Sequence, residues 1–149
     1  MALSEAEQAA IRDYTDKGYE RMNHQLRDHE LTAPMARKVA TLTSALDRLP
    51  PFRGDVYRGT TILDPRVLEK YSAVGSEVVE DAFVSSSRSA LKMYIGNVFF
   101  LIESKQGRDI SRWSANPEEE EVLFRPGTRF KVLAFEERED DFQIFLEEI

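Results

Sequence analysis

The chain contains no cysteine among its 149 residues, and it has only two histidines, His24 and His29. The lack of cysteine excludes disulfides, thiolate metal ligands and a cysteine nucleophile. Two histidines in one polar stretch are too few for a zinc site made of histidine alone, and neither is placed to activate a serine nucleophile. No apolar run approaches the about 18 residues that a membrane span requires.

Basic residues are scarce towards the end of the chain, and the formal net charge is -7. Residues 117–149 hold eleven acids and four bases, while the other 116 residues balance at sixteen of each. An acidic chain of this kind is not typical of nucleic-acid binding, and it is compatible with cationic substrates. A Gly-x-Gly-x-x-Gly motif is also missing, so the sequence does not predict a Rossmann-type phosphate site.

The order of predicted elements favours an α+β fold in a single domain over residues 1–149. Residues 1–50 are predicted to be helical, with a capping box at Ser4 and Glu7 and a second helix that begins near Pro34. After Pro51 the chain becomes mostly strand-forming. Strands are predicted at 55–58, 77–79, 82–85, 97–103, 119–124, 129–135 and 142–146, and a loop is predicted at 105–117.

Two short segments carry polar groups at the ends of predicted strands. Arg58 follows Val56-Tyr57, and its guanidinium could bind a phosphate or carboxylate through two parallel hydrogen bonds. Gly59 follows it and would let a ligand approach the backbone closely. In Phe83-Val84-Ser85-Ser86-Ser87, alternate residues share one strand face. The plainer interpretations are a surface salt bridge for the arginine and a satisfied turn for the serines.

A third segment places four glutamates, 118–121, directly before the apolar residues Val122-Leu123-Phe124. If the strand starts at Glu119, then Glu119 and Glu121 share one face, about 6–7 Å apart by strand rise. One carboxylate could stabilise a developing cation while the other accepts a proton. A solvated charged face, a divalent-metal site and a two-carboxylate glycosidase are the alternatives.

Taken in order, the three segments resemble the Arg–Ser–Glu class of mono-ADP-ribosyltransferases, which includes bacterial toxins. The family pattern is an arginine after an aromatic or apolar residue, then Phe-x-Ser-Thr-Ser, then Glu-x-Glu before an apolar strand. This chain offers Tyr57-Arg58-Gly59, Phe83-Val84-Ser85-Ser86-Ser87 and Glu119-Glu120-Glu121-Val122-Leu123. Ser86 stands where threonine is usual and keeps the hydroxyl. The resemblance covers residues 50 to 135.

The resemblance implies a fold of two small, mainly antiparallel sheets around an NAD-binding cleft, with helices at the N-terminal side. It implies NAD as co-substrate and no metal. Glu121 would stabilise the oxocarbenium-like transition state, Ser85 would orient Glu121, and Arg58 would hold an NAD phosphate. Glu119 would face the acceptor arginine. The remaining expected site residues are Gly59, Phe83 and Tyr94 at the cofactor and Trp113, which either recognises the target or anchors its loop.

The resemblance further implies a secreted or translocated bacterial effector that modifies an arginine of a target protein in the target-cell cytoplasm. An immunity protein is a possible partner, a membrane is not, and nucleic acid is disfavoured by the acidity. Three alternatives stay open at this point. The domain could hydrolyse NAD, could modify nucleic acid on the same fold, or could be a catalytically silent binding module.

Overall fold

The polypeptide begins with helices and continues mainly as strands, in the order that the sequence predicts. The computed structural model describes residues 2–149. Its helical segments are α1 (Glu5–Asp13), a π-helical turn (Tyr14–Gly18), α2 (Tyr19–Asp28), α3 (Ala33–Arg48) and α4 (Pro65–Glu69). Its strands are β1 (Pro51–Thr60), β2 (Glu77–Glu80), β3 (Val84–Ser87), β4 (Val98–Asp109), β5 (Glu121–Phe124), β6 (Thr128–Glu137) and β7 (Phe142–Glu148). The α+β class and the helical N-terminal part are confirmed.

The N-terminal helices are fixed to one another through the predicted capping box. The Ser4 hydroxyl accepts a hydrogen bond from the Glu7 backbone at 3.1 Å, and Glu7 accepts one from the Ser4 backbone at 2.8 Å. The second oxygen of Glu7 accepts hydrogen bonds from Ser44 at 2.8 Å and Arg48 at 2.9 Å on α3. One residue therefore caps α1 and also ties it to α3. Within residues 2–149, none of the helices is long and apolar enough to cross a membrane.

Hydrogen bonds join the seven strands into one network rather than two separate sheets. The strand order is β1-β3-β5-β4-β7-β6-β2, and β1 also pairs with β4. Strand β4 makes this connection because it pairs antiparallel with β1, parallel with β7 and, through Arg108 and Asp109, antiparallel with β5. The loop predicted at 105–117 is therefore wrong for residues 105–109. Backbone pairing to two neighbouring strands outweighs their polar composition.

Two apolar clusters lie on the two faces of the short strands β3 and β5. Val84, Val122 and Phe124 belong to the first cluster, which is formed mainly by side chains of the strands themselves. Phe83 and Leu123 belong to the second cluster, which packs against the helices together with Ile11, Tyr14, Leu42 and Leu46. Because side chains alternate along a strand, Ser85, Ser87 and Glu121 lie on this helix-facing side. The fold thereby directs polar side chains towards the helices.

Candidate active site

A cleft of about 630 Å³ lies between the N-terminal helices and the ends of β1, β3 and β5. The three motifs of the sequence analysis, those of Arg58, Ser85 and Glu121, converge in this cleft. Each expected site residue except Trp113 contributes to its wall. The lining includes Arg58 and Gly59 from β1, Phe83 and Ser85 from the β3 region, Tyr94 from the following segment, Glu119 and Glu121 from the approach to β5, and Tyr14, Tyr19 and Asn23 from the helices.

Arg58 is held at the cleft by the end of β1. Its strand position lies opposite Phe100 of β4, and the preceding residue, Tyr57, lies opposite Ser87 of β3. The guanidinium donates a hydrogen bond to the Ser85 carbonyl at 2.9 Å. This bond uses one of five guanidinium N–H groups, so the side chain is oriented while further donors are present for an anion.

The segment around Tyr94 crosses closely over the end of β1. A Cβ atom on Gly59 would lie 1.5 Å from the Tyr94 carbonyl oxygen, and one on Gly96 would lie 2.2 Å from the Thr60 carbonyl oxygen. Only glycine fits at both positions, because a side chain would displace backbone. Glycine is therefore required at position 59 for backbone packing, independently of any contact with a ligand. Tyr94 stays 67% exposed at the rim of the cleft.

The three serines of β3 make three different contacts. The Ser85 hydroxyl oxygen lies 3.2 Å from the Tyr14 hydroxyl oxygen inside the cleft. Ser86 donates to the Val122 carbonyl at 2.7 Å, and Ser87 donates to the Glu119 carbonyl at 2.8 Å. Ser86 and Ser87 thus hold the backbone on both sides of Glu121, while Ser85 faces the helices.

Glu119 and Glu121 both line the cleft, but the prediction that they share a strand face is wrong. Glu119 ends a short 3₁₀ turn, Pro117–Glu119, and the strand begins only at Glu121. Between them Glu120 adopts a left-handed conformation with φ of 51°. Arg88 holds this conformation, because its backbone N–H donates to the Glu120 carbonyl at 3.0 Å and its guanidinium pairs with the Glu120 carboxylate at 3.3 Å. The kink leaves Glu119 exposed and Glu121 buried.

Glu121 is the buried carboxylate of the cleft, with only 7% of its surface exposed. Burial raises its pKa to about 7, and the negative charge of Glu119 adds to the rise. Hydrogen bonding by Ser85 and the positive charge of Arg58 act in the opposite direction. Register explains the contact with Ser85. Glu121 lies opposite Ser87 on the neighbouring strand, which makes Ser85 its diagonal neighbour on the same face.

The two remaining expected residues, Phe83 and Trp113, differ in their surroundings. Phe83 is 2% exposed, and its ring centroid lies 5.5 Å from that of Tyr14, so it forms a buried wall of the cleft. Trp113 packs against the helix-facing cluster, with the Arg112 guanidinium 5.4 Å above its ring. Its loop is tied to Thr15 through the Ala115 backbone at 2.9 Å. Trp113 does not line the cleft.

The helical residues that line the cleft, among them Tyr14 and Asn23, are missing from the sequence-based set of site residues. The sequence analysis predicts a helix over this stretch and singles out neither residue. Burial raises the pKa of Tyr14 to about 12, so its hydroxyl stays protonated at neutral pH. A polar side chain next to an apolar stripe is the one signal that points to Asn23, and it is too common on helices to identify a site.

Comparison with known proteins identifies the family. The family model for NAD:arginine ADP-ribosyltransferases matches residues 1–149. The chain belongs to this family. This ADP-ribosyltransferase domain is 34% identical over 133 residues to the NAD(+)–protein-arginine ADP-ribosyltransferase Tre1 of Serratia proteamaculans (strain 568), covering 88% of this chain and 29% of that protein. It spans 16% to 30% of the length of the first three curated relatives that it matches.

Solved structures share the ADP-ribosyltransferase fold. The structure of the ADP-ribosyltransferase Vis of Vibrio splendidus in complex with agmatine superposes with a TM-score of 0.84 at 27% identity, over 99% of this chain and 75% of that one. The type III effector XopAI of Xanthomonas axonopodis pv. citri superposes with a TM-score of 0.83 at 27% identity, over 96% of this chain and 66% of that one. These similarities extend over both the helices and the strands of the domain.

Proposed function

We propose that this domain cleaves NAD and transfers its ADP-ribose to an arginine side chain of a target protein. The observation that carries the proposal is the convergence of Arg58, Ser85 and Glu121 on one cleft, in a chain of this family. The complex of Vis with agmatine supports a guanidinium acceptor, because agmatine ends in the same guanidinium group as arginine.

In the first half of the reaction, the bond between the nicotinamide nitrogen and the ribose C1′ breaks. The electron pair leaves with nicotinamide, and positive charge develops on the ribose. The ionised Glu121 carboxylate stabilises this charge, and a preorganised group of this kind contributes about 10²–10³-fold in rate. Arg58 binds a phosphate of NAD, while the Gly59 backbone, Phe83 and Tyr94 surround the nicotinamide end.

In the second half, a guanidinium nitrogen of the target attacks C1′ and loses a proton. Glu119 is suited to this step because it is exposed on the cleft wall, only two residues from Glu121. Its carboxylate pairs with the incoming guanidinium and accepts the proton. Trp113 lies outside the cleft on the same helical side, where its ring can contact the target protein.

We further propose that the whole protein is a translocated bacterial effector that acts in the cytoplasm of a target cell. The similarity to XopAI, a type III effector, supports this location. Because such an enzyme would also modify proteins of the cell that produces it, an immunity protein that blocks the cleft is a further proposed partner. The exposed Glu119 at the cleft offers such a protein a charged contact.

The test uses radiolabelled NAD with agmatine, and with bacterial and eukaryotic lysates, and the Glu121→Gln variant as control. We expect nicotinamide release and labelled agmatine from the wild type and neither product from Glu121→Gln. No nicotinamide release by the wild type under any of these conditions would refute the proposal. Release of nicotinamide without a labelled acceptor would instead identify an NAD glycohydrolase.

Glu119→Gln separates the two halves of the reaction. We expect this variant to release nicotinamide from NAD but to lose most of its labelling of agmatine, because the proton acceptor is gone. Release and labelling are measured on the same samples. An equal loss of both activities would show that Glu119 also serves the NAD half.

A further inference from the structure

A line of buried polar groups connects the helices to Ser85. The Phe83 backbone N–H donates to the Asn23 side-chain oxygen at 3.0 Å, and the Asn23 side-chain nitrogen donates to the Tyr14 hydroxyl at 3.0 Å. The Tyr14 hydroxyl in turn lies 3.2 Å from the Ser85 hydroxyl. Asn23 is 6% exposed and Tyr14 is 2% exposed, so each of these groups depends on protein partners.

The direction of each hydrogen bond follows from the chemistry of the groups. A backbone N–H can only donate, so the Asn23 atom next to Phe83 is the oxygen, and the amide nitrogen faces Tyr14. An amide nitrogen also only donates, so the Tyr14 oxygen accepts. If the Tyr14 hydrogen did not then point to Ser85, a buried hydroxyl would stay unpaired, which is unfavourable. Tyr14 therefore donates to Ser85.

A serine hydroxyl has one hydrogen. Because Ser85 accepts from Tyr14, its own hydrogen is directed elsewhere, and its diagonal neighbour Glu121 offers an acceptor. We infer that Asn23 and Tyr14 are positioning residues, which fix Ser85 as a hydrogen-bond donor to the Glu121 carboxylate. This inference rests on the proposed role of Glu121 in NAD cleavage. It assigns to two helical residues a control over the charged state of the proposed catalytic group.

The π-helical turn makes this arrangement possible. Tyr14 and Asn23 are nine residues apart, which is about two and a half turns of a regular α-helix and would place them on opposite sides. The turn Tyr14–Gly18 lies between them and changes the angular spacing. Both side chains consequently meet on the face that lines the cleft. Wide turns of this kind occur often at functional sites.

Other charged and titratable groups also act on Glu121. Arg58 from β1 and Glu119 from the preceding turn shift the pKa of Glu121, and Tyr14 and Tyr19 from the helical side lie close enough for the Glu121 charge to raise their own pKa values. Of these four groups, only Tyr14 contacts the Ser85 hydroxyl, whereas Arg58 donates to the Ser85 backbone carbonyl. A variant that removes the Tyr14 hydroxyl leaves Arg58, Glu119 and Tyr19 in place, so its effect reports the hydrogen-bond chain.

The test replaces Tyr14 by phenylalanine, which keeps the ring and removes the hydroxyl. We expect kcat for nicotinamide release to fall about tenfold at pH 7, with the KM for NAD changed less than twofold. The acid limb of the kcat profile should move up by about one pH unit, because the Ser85 hydroxyl is no longer fixed as a donor and favours the ionised carboxylate less. Tyr71→Phe is the matched control, since it removes another buried tyrosine hydroxyl, one that donates to Glu80 outside the cleft.

A second variant, Asn23→Asp, replaces the amide nitrogen that donates to Tyr14 by an oxygen that accepts, and so reverses the direction of the hydrogen bonds. The new carboxylate oxygen accepts from Tyr14, so Tyr14 no longer donates to Ser85. Ser85 then donates to Tyr14 instead of Glu121, and the added negative charge also disfavours ionised Glu121. We expect a larger shift of the acid limb than in Tyr14→Phe, measured in the same profiles. A smaller shift, or none, would contradict the assigned direction.

Two measurements separate this inference from the proposed function. In a Ser85→Ala background, Tyr14→Phe should cause no further loss of kcat, because both residues act on Glu121 through one hydrogen bond. In the protein without NAD, the ¹³C NMR titration of the Glu121 carboxyl should move to higher pH in Tyr14→Phe but not in Tyr71→Phe. An unmoved titration, or fully additive losses, would overturn the inference. A wild type that titrates as expected but releases no nicotinamide would overturn the proposed function alone.

Discussion

Replacing Glu121 by glutamine should stabilise the folded protein at neutral and alkaline pH. The pKa of Glu121 is raised from 4.5 to about 7 by burial. Each pKa unit corresponds to about 1.4 kcal/mol, so the ionised carboxylate lowers the free energy of unfolding by about 3 kcal/mol above pH 7. Glutamine has nearly the same shape and no charge to desolvate, so it removes this penalty.

The expected pH dependence has a definite sign. The folded state holds the Glu121 proton more tightly than the unfolded state, so stability falls as the pH rises from 4.5 to about 7. Below that window the wild type and Glu121→Gln should unfold with nearly equal free energy. Above pH 7 the free energy of unfolding of the variant should exceed that of the wild type by about 3 kcal/mol, and this difference should then stay constant.

Urea unfolding followed by the fluorescence of Trp113, the single tryptophan of the chain, measures this difference. Curves at pH 4.5, 6 and 8.5 cover the window. Glu118→Gln is the matched control, because it removes a glutamate from an exposed position of the preceding turn. A constant difference between Glu121→Gln and the wild type at all three pH values would refute the assignment of a desolvated carboxylate. A loss of activity together with this gain in stability would be typical of a catalytic group, because such groups are often kept at the expense of stability.

Three further variants, and one exposed control, test the packing of the domain. Gly59→Ala should lower the Tm and weaken NAD binding, because its Cβ would lie 1.5 Å from the Tyr94 carbonyl oxygen; an unchanged Tm would contradict this. Glu7→Ala should lower the Tm at pH 7, and the difference should shrink in acid, because hydrogen bonds hold the pKa of Glu7 below 4.5. Leu42→Ala should cost about 2–5 kcal/mol in urea unfolding, whereas exposed Leu91→Ala should change stability by less than about 0.5 kcal/mol.

Local signals in the sequence predicted the elements well where the structure depends on nearby residues. The capping box at Ser4 and Glu7 and the proline at the start of α3 mark helix ends correctly, because caps act within one turn. The apolar run before residue 103 marks β4 correctly. The sequence did not show that β4 continues to Asp109, since that extension depends on pairing with distant β1 and β5.

The candidate site was predicted only in part. The order of Arg58, the β3 serines and the glutamates predicted which motifs meet in one cleft, and they do. The relation of Glu119 to Glu121 was predicted wrongly, because a strand was expected where a left-handed residue interrupts the chain. That conformation depends on Arg88, which is more than thirty positions away in sequence.

By itself, the sequence determined the α+β class, the element order and the three motifs that meet at the cleft. These follow from hydrophobic periodicity, from caps and from motifs, all of which act over a few residues. Only the tertiary structure decided that Glu121 is buried, that Trp113 packs outside the cleft and that Asn23 is linked to Ser85 through Tyr14. Desolvation and hydrogen bonding between distant segments depend on three-dimensional packing, and no short stretch of sequence encodes them.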